Sequence, residues 1–185
     1  PAGTGADVRV WQAYGGRSDI VTPENLDRNL GWSKRPEEDS YKRRAAAMLF
    51  TDFPGFSKLP EARLPAFWSG VMGRMADVLV KHDDEVLARN SWGDALLAVT
   101  ANAPRAATVA LELQSALQDF DYSSLGLSGT SGMRIGVHYG PVYETSDLIT
   151  GRTTFYGTEV SRAARIEPVT PPGAVFVTQP FAAIL

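Results

Sequence analysis

An α+β fold, one antiparallel-rich sheet with helices packed against it, is predicted by three features of this 185-residue chain. Short apolar runs have strand length, longer segments carry apolar residues at helical spacing, and the two kinds alternate in the order β-α-β-β-α-β with an added strand and helix. With 44% apolar and 21% charged residues, the composition is that of one compact domain. Residues 45–185 are assigned to it. Residues 1–44 are read as an N-terminal appendage and linker, because turn and charge signals are dense there and apolar positions sparse. Within them, residues 7–14 alternate briefly (Val8, Val10), Thr22-Pro23-Glu24-Asn25 opens a short helix that Gly31 ends, and residues 34–44 form a charged linker.

The domain opens on a wholly apolar run, residues 45–51, which ends at Asp52 and is broken by Pro54-Gly55, as a buried strand entering a tight turn. Leu64, Phe67, Val71, Met75, Val78 and Leu79 recur at the spacing of an amphipathic helix over residues 64–81. Residues 85–90 and 95–100 are β-prone, and Ser91-Trp92-Gly93-Asp94 between them reads as a hairpin turn. Asn102-Ala103-Pro104 starts a second helix reaching about Phe120, followed by a Ser/Gly-rich loop over 123–132. Residues 133–139 make a strand that Gly140-Pro141 turns into residues 142–144. A third helix covers 157–167, and residues 174–178 form a last strand after Pro171-Pro172-Gly173. This order is that of a ferredoxin-like plan.

A net charge of −3 excludes the basic footprint that nucleic acid or an anionic membrane demands. With no cysteine, disulfides, thiolate catalysis and cysteine-bound zinc are excluded. Two histidines are too few for a zinc hydrolase, and no Gly-x-x-x-x-Gly-Lys word signals a P-loop. No run approaches the roughly 18 apolar residues of a membrane span, so a cytoplasmic location is expected. His82, just past a helix C-terminus, and His138, with no carboxylate motif beside it in sequence, are read as structural.

Hard divalent cations take oxygen ligands, usually one or two carboxylates completed by phosphates and water. Asp52 and Asp94, both at strand ends that the fold makes neighbours, can supply that pair, although either alone also suits a turn. The words around them are more specific. Phe50-Thr51-Asp52-Phe53-Pro54-Gly55-Phe56-Ser57, Gly93-Asp94-Ala95-Leu96-Leu97-Ala98-Val99, Arg134-Ile135-Gly136-Val137-His138-Tyr139-Gly140-Pro141-Val142 and Tyr156-Gly157-Thr158-Glu159-Val160-Ser161-Arg162-Ala163-Ala164-Arg165-Ile166 resemble, in order, four signature segments of the class III adenylate and guanylate cyclases.

The resemblance, running from about Ala45 to Phe181, implies the ferredoxin-like fold and a cyclase that converts a nucleoside triphosphate to a 3′,5′-cyclic monophosphate and pyrophosphate. It implies that Asp52 and Asp94, assisted by the Phe53 carbonyl, hold two Mg²⁺ or Mn²⁺ ions, and that the turn through Gly55, Phe56 and Ser57 offers amides to the phosphates. Arg165 matches the arginine that stabilises charge on the α-phosphate, and Ser161 stands where the family usually has a ribose-orienting asparagine. Asn90 and Thr154 stand at the base-reading positions, and Asn90 replaces the lysine common in cyclases that make cyclic AMP.

That departure, together with Trp92 beside the hairpin tip, favours UTP or CTP as substrate and a likeness to the small class III cyclases of bacterial anti-phage signalling. Cyclic AMP from ATP is the alternative, and a non-catalytic nucleotide-binding module is a third. The family splits its site between subunits, so a homodimer with shared sites is expected.

Overall fold

Alternation along the first strand sets the architecture. The computed structural model describes residues 41–127 and 132–185; the strand-like stretch and short helix expected within residues 7–31 lie outside them. Strand β1 (Lys42–Asp52) sends Ala47 and Leu49 into one core cluster and Ala46, Met48 and Phe50 into another. Period two requires that division, and because both faces are apolar the strand reads as an unbroken hydrophobic run. β1 begins at Lys42 and not at Ala45. The last residues read as linker are instead paired, Lys42 with Glu144, Arg43 with Tyr143 and Arg44 with Val142, and Arg44 Nη1 donates to Glu144 Oε2 at 3.2 Å.

The helix expected over 64–81 is present as α1, built from Leu64–Phe67, a π turn at Trp68–Met72, and Gly73–Lys81. Its buried side chains, Phe67, Val71, Met75, Val78 and Leu79, are those of the expected stripe. The π turn widens the helix by one bond without altering the hydrophobic pattern, so hydropathy does not reveal it. Strands β2 (Val86–Trp92) and β3 (Ala95–Thr100) form the hairpin with Trp92 opposite Ala95. Ser91 and Trp92 therefore extend the strand, and Gly93-Asp94 alone makes the connection. Helix α2 (Ala103–Gln118) starts as expected: the Asn102 side chain accepts the Arg105 N–H at 3.0 Å, satisfying a first-turn donor.

β4 (Arg134–Ser146) runs straight through Gly140-Pro141, where a turn was expected. Its pairing with β1 is continuous across Ala46↔Gly140 and Ala45↔Pro141. On its other edge β6 (Val175–Val177) takes residues 135–137 and β5 (Thr153–Tyr156) takes 143–146. Pro141 falls in the gap between them, so no ladder on that edge is interrupted by its missing N–H. The third helix, α3 (Thr158–Ala163), is shorter than the expected 157–167. Beyond it the chain tightens to three-residue bonds, Arg165 N–H to Arg162 O and Ile166 N–H to Ala163 O, both 3.1 Å, and Pro168 has no amide with which to continue an α-helix. A last short helix, α4 (Gln179–Ala182), follows β6.

Among the described residues the strands form one sheet in the order β2-β3-β1-β4-β5, with β6 parallel to β4 and the other pairs antiparallel. This is the expected ferredoxin-like plan. Helices α1 and α2 bury the face that carries Ala47, Leu49, Leu96, Ala98, Ile135 and Val137. Among the described residues the opposite face, with Met48, Val99 and Val142, receives only α3 through Val160 and Ala163, together with Phe155 of β5. Phe50 and Leu97 on that face remain part-exposed. No helix among the described residues is long and apolar enough to cross a membrane.

Gly136 marks the tightest approach of β4 to the segment after α3: a Cβ there would stand 2.6 Å from the Glu167 backbone N and 3.0 Å from its Cα. Backbone cannot swing aside as a side chain can. Gly136→Ala is expected to destabilise the domain by about 1–3 kcal/mol, read as a lower midpoint in urea unfolding.

Candidate active site

β1 ends at Asp52, and β3, its neighbour, begins one residue after Asp94, with Thr51 opposite Leu96. The two carboxylates therefore emerge from the same end of adjacent strands. Asp94 Oδ2 accepts the Phe53 N–H at 3.0 Å, which locks the hairpin tip to the end of β1. Burial pushes the Asp94 carboxyl above its ordinary value; the Phe53 amide opposes the rise and the Asp52 charge adds to it. Like charges held together while partly removed from water call for a cation.

An internal cation is already close. Arg134, first residue of β4, lies directly across the ladder from Asp52, and its Nη2 forms a short ion pair with Asp52 Oδ2. Its Nε is 2.7 Å from Glu167 Oε1, so one guanidinium spans two carboxylates. Burial raises the Glu167 carboxyl first, the Asp52 charge adds to the rise, and Arg134 opposes it. Sequence reasoning missed this pair. The signal was available in the register: antiparallel pairing of the strands within the first and third matched segments sets Arg134, which opens one strand, against Asp52, which ends the other.

The donors around Asp52 and Asp94 suit a hard divalent ion. Two carboxylates are joined by the Phe53 carbonyl, which accepts the Phe56 N–H at 3.1 Å and keeps a second lone pair. Among the described residues no group of three or more His, Asp or Glu side chains converges as a metal cage, so phosphate oxygens and water would complete the shell, as Mg²⁺ prefers. In the turn that follows, the amides of Lys58 and Leu59 go to Gly55 O and Phe56 O, and Pro54 has none. Gly55 and Ser57 are left with amides lacking an intramolecular acceptor among the described residues. Phe56 has turned its own amide inward, and its ring packs on Phe67 at 4.9 Å. Gly55 and Lys58 line an adjoining hollow of about 340 Å³.

Asn90, Trp92 and Thr154 line one cleft of about 320 Å³, with Phe50, Leu97 and Val160 among its apolar walls and Arg152 beside them. They come from β2 and β5, opposite ends of the strand order, and meet over the face that α1 and α2 leave uncovered. Trp92 is 56% exposed and so is not a packed turn aromatic. Ser161 and Arg165 are exposed, and among the described residues no hydrogen bond or ion pair joins either side chain to Asp52 or Asp94. The structure thus gathers the acidic residues in one place and the base-reading candidates in another, and leaves Arg165 outside both. Both histidines are buried in polar networks: His82 sits 3.2 Å from Glu85 and from Glu112, and His138 contacts Glu159 and Thr178.

A carboxyl whose folded pKa lies above its unfolded one binds its proton more tightly when folded. Its stabilising contribution is full below the unfolded value, near 3.8 for Asp94, and is lost as pH rises through the folded one. Asp94→Asn, which can still accept the Phe53 amide, is expected to raise the thermal midpoint of the metal-free protein at pH 7 more than at pH 4. It is also expected to remove the stabilisation that Mn²⁺ confers on the unaltered protein; calorimetry across pH, with and without Mn²⁺, checks both.

The family model described as the adenylate and guanylate cyclase catalytic domain matches residues 39–185. A protein of Rhizobium meliloti (strain 1021) named "Putative adenylate cyclase 3" is 32% identical over 146 residues, 76% of this chain and 23% of that relative, so the chain spans about a quarter of its length. Among solved structures, the guanylyl cyclase Cya2 matches with a TM-score of 0.66 at 24% identity, covering 78% of this chain and 80% of that one. A dimeric guanylyl cyclase domain of the RhoGC fusion protein from the aquatic fungus Blastocladiella emersonii matches at 0.64 and 20% identity, over 77% and 84%. From the paired strand-end aspartates, the fold and the match over residues 39–185, this chain belongs to the adenylate and guanylate cyclase catalytic-domain family.

Proposed function

We propose that the domain is a two-metal nucleotide cyclase whose substrate is a pyrimidine nucleoside triphosphate, UTP or CTP, and whose product is a second messenger of anti-phage defence. The observation that carries the cyclase reading is the convergence of Asp52 and Asp94, fixed by the Phe53 amide, in a chain of this family. Bound between these carboxylates and the Phe53 carbonyl, two Mg²⁺ or Mn²⁺ ions would supply Lewis-acid activation of the ribose 3′-hydroxyl and neutralise charge on the triphosphate. The chain's residues do the rest. Gly55 and Ser57 amides hold phosphate oxygens, with Lys58 beside them. The 3′-hydroxyl proton passes to water, the bond from the 3′-oxygen to the α-phosphorus forms as the bond to pyrophosphate breaks, and the planar Arg165 fork meets the charge that builds on the α-phosphate. Ser161, shorter than the asparagine usual in the family, orients the ribose through a water.

Base choice falls to Asn90 and Thr154 in the cleft beside Trp92. An amide in place of a lysine offers both a donor and an acceptor, and Arg152 adds donors matched to pyrimidine carbonyl oxygens. Cyclic AMP from ATP is the second reading, supported by the name of the Rhizobium relative. Among the described residues α3 alone packs on the second sheet face, and this together with the exposed position of Arg165 supports a homodimer: a second copy laid on that face buries apolar surface and brings its Arg165 to the acidic site.

Incubation with ATP, GTP, CTP and UTP separately, with Mn²⁺ and products identified by mass, is expected to give a cyclic product from UTP or CTP. Cyclic AMP alone would overturn the pyrimidine assignment, and no cyclic product from any of the four would overturn the cyclase. Asp52→Ala and Arg165→Ala, each inactive, are expected to regain part of the activity when mixed, because one of the two sites in a mixed dimer is intact. Mixed dimers without activity would rule out the shared site.

A further inference from the structure

His138 is wholly buried, and its two ring nitrogens reach side chains from two different elements. Nδ1 lies 2.7 Å from Thr178 Oγ1, and Nε2 lies 2.6 Å from Glu159 Oε2. Thr178 caps α4, its Oγ1 accepting the Phe181 N–H at 3.4 Å. With the Thr178 hydroxyl proton available to Nδ1, the ring proton is assigned to Nε2, which then donates to the Glu159 carboxylate. The same Glu159 oxygen accepts from Arg162 Nη1 at 3.0 Å. The strand makes room for this contact: a Cβ at Gly140 would stand 2.9 Å from Glu159 Cγ and 3.0 Å from His138 Nε2.

Glu159 lies in the first turn of α3, the helix that carries Ser161 and leads into Arg165. Six residues with no side-chain cap do not hold a helix in place by themselves. The apolar contacts of Val160 and Ala163 attach α3 to the sheet but are non-directional. A charge-assisted hydrogen bond to a buried ring is directional. We propose that His138 is a positioning residue for cyclisation: through Glu159 it fixes the direction in which α3 presents Ser161 and Arg165 to the nucleotide. The role rests on the shared-site reading above, and it explains why a fully buried imidazole is spent on a helix with so little else to anchor it. His138 is wholly buried, so its role is to position and not to meet the nucleotide.

The test compares His138→Asn, His138→Gln, Glu159→Ala and the double variant His138→Asn/Glu159→Ala in the full chain, with Arg165→Ala alongside. Displacement of a catalytic group by about an ångström costs up to about a hundredfold. His138→Asn and Glu159→Ala are accordingly each expected to lower kcat by about tenfold or more while leaving KM nearly unchanged. The double variant should be no slower than either single one, because both cut the same link. His138→Gln, whose amide reaches the place of Nε2, should recover much of the rate. Glu159 is only partly buried, so its variant remains informative if a His138 variant fails to fold. Wild-type kcat in folded Glu159→Ala with only the unfolding midpoint lowered, or multiplicative losses in the double variant, would overturn the proposal. If Arg165→Ala keeps full activity, the shared-site reading fails and takes this role with it; if Arg165→Ala is inactive and the other variants are fully active, only the positioning role fails.

Discussion

From Lys42↔Glu144 to Asp52↔Arg134, β1 and β4 pair without a slip along the whole of β1, and this ladder fixes the core and the site together. Because side chains alternate, the register that puts Ala47, Leu49, Ile135 and Val137 under the helices also decides which residues meet at the open end. There Arg134 meets Asp52. β3 on the other side of β1 adds Asp94, and β6 on the far edge of β4 leads to Thr178 and its contact with His138. The acidic cluster and the His138–Thr178 contact thus lie within one strand of this pair, whereas Asn90 and Trp92 on β2 stand one strand further out.

The electrostatics are correspondingly local. A chain with a net charge of −3 has no general attraction for a polyanion, yet the end of the sheet combines clustered carboxylates with a guanidinium and with amides that lack partners among the described residues. Carboxylates raised by burial and by one another make an unfavourable arrangement that a divalent ion relieves. Such a site contributes little to stability by itself; under the function proposed above, its free energy would be released when the phosphate end of a nucleotide and its ions bind.

Much of this was legible in the sequence because it depends on local chemistry. The apolar run before Asp52, the cap at Asn102, the stripe of α1 and the turn residues around Asp94 announce their elements through neighbours a few positions away. What was not legible depends on partners distant in the chain. Pro141 reads as a turn until β5 and β6 are seen to leave it a gap. His138 has no carboxylate nearby in sequence, and Glu159 reaches it only because α3 folds back over Gly140. Arg134 and Glu167 look like ordinary charges until the register sets the first against Asp52. The short α3 is a case of another kind: the helical spacing of Val160, Ala163 and Ile166 runs on past Ala163, where the hydrogen bonds tighten and the α-helix ends.

The Gly93-Asp94 connection has a consequence for how this domain can vary. Surface loops usually absorb insertions at little cost, but this one is the whole joint between Trp92 and Ala95. A single residue added after Asp94 would either shift β3 by one position, turning Leu96 and Ala98 away from the helices and Leu97 and Val99 into them, or carry Asp94 off the Phe53 amide. The first outcome damages the core and the second the site. Length at this tip is therefore fixed by the core and the site at once, so this joint tolerates substitution where it does not tolerate insertion.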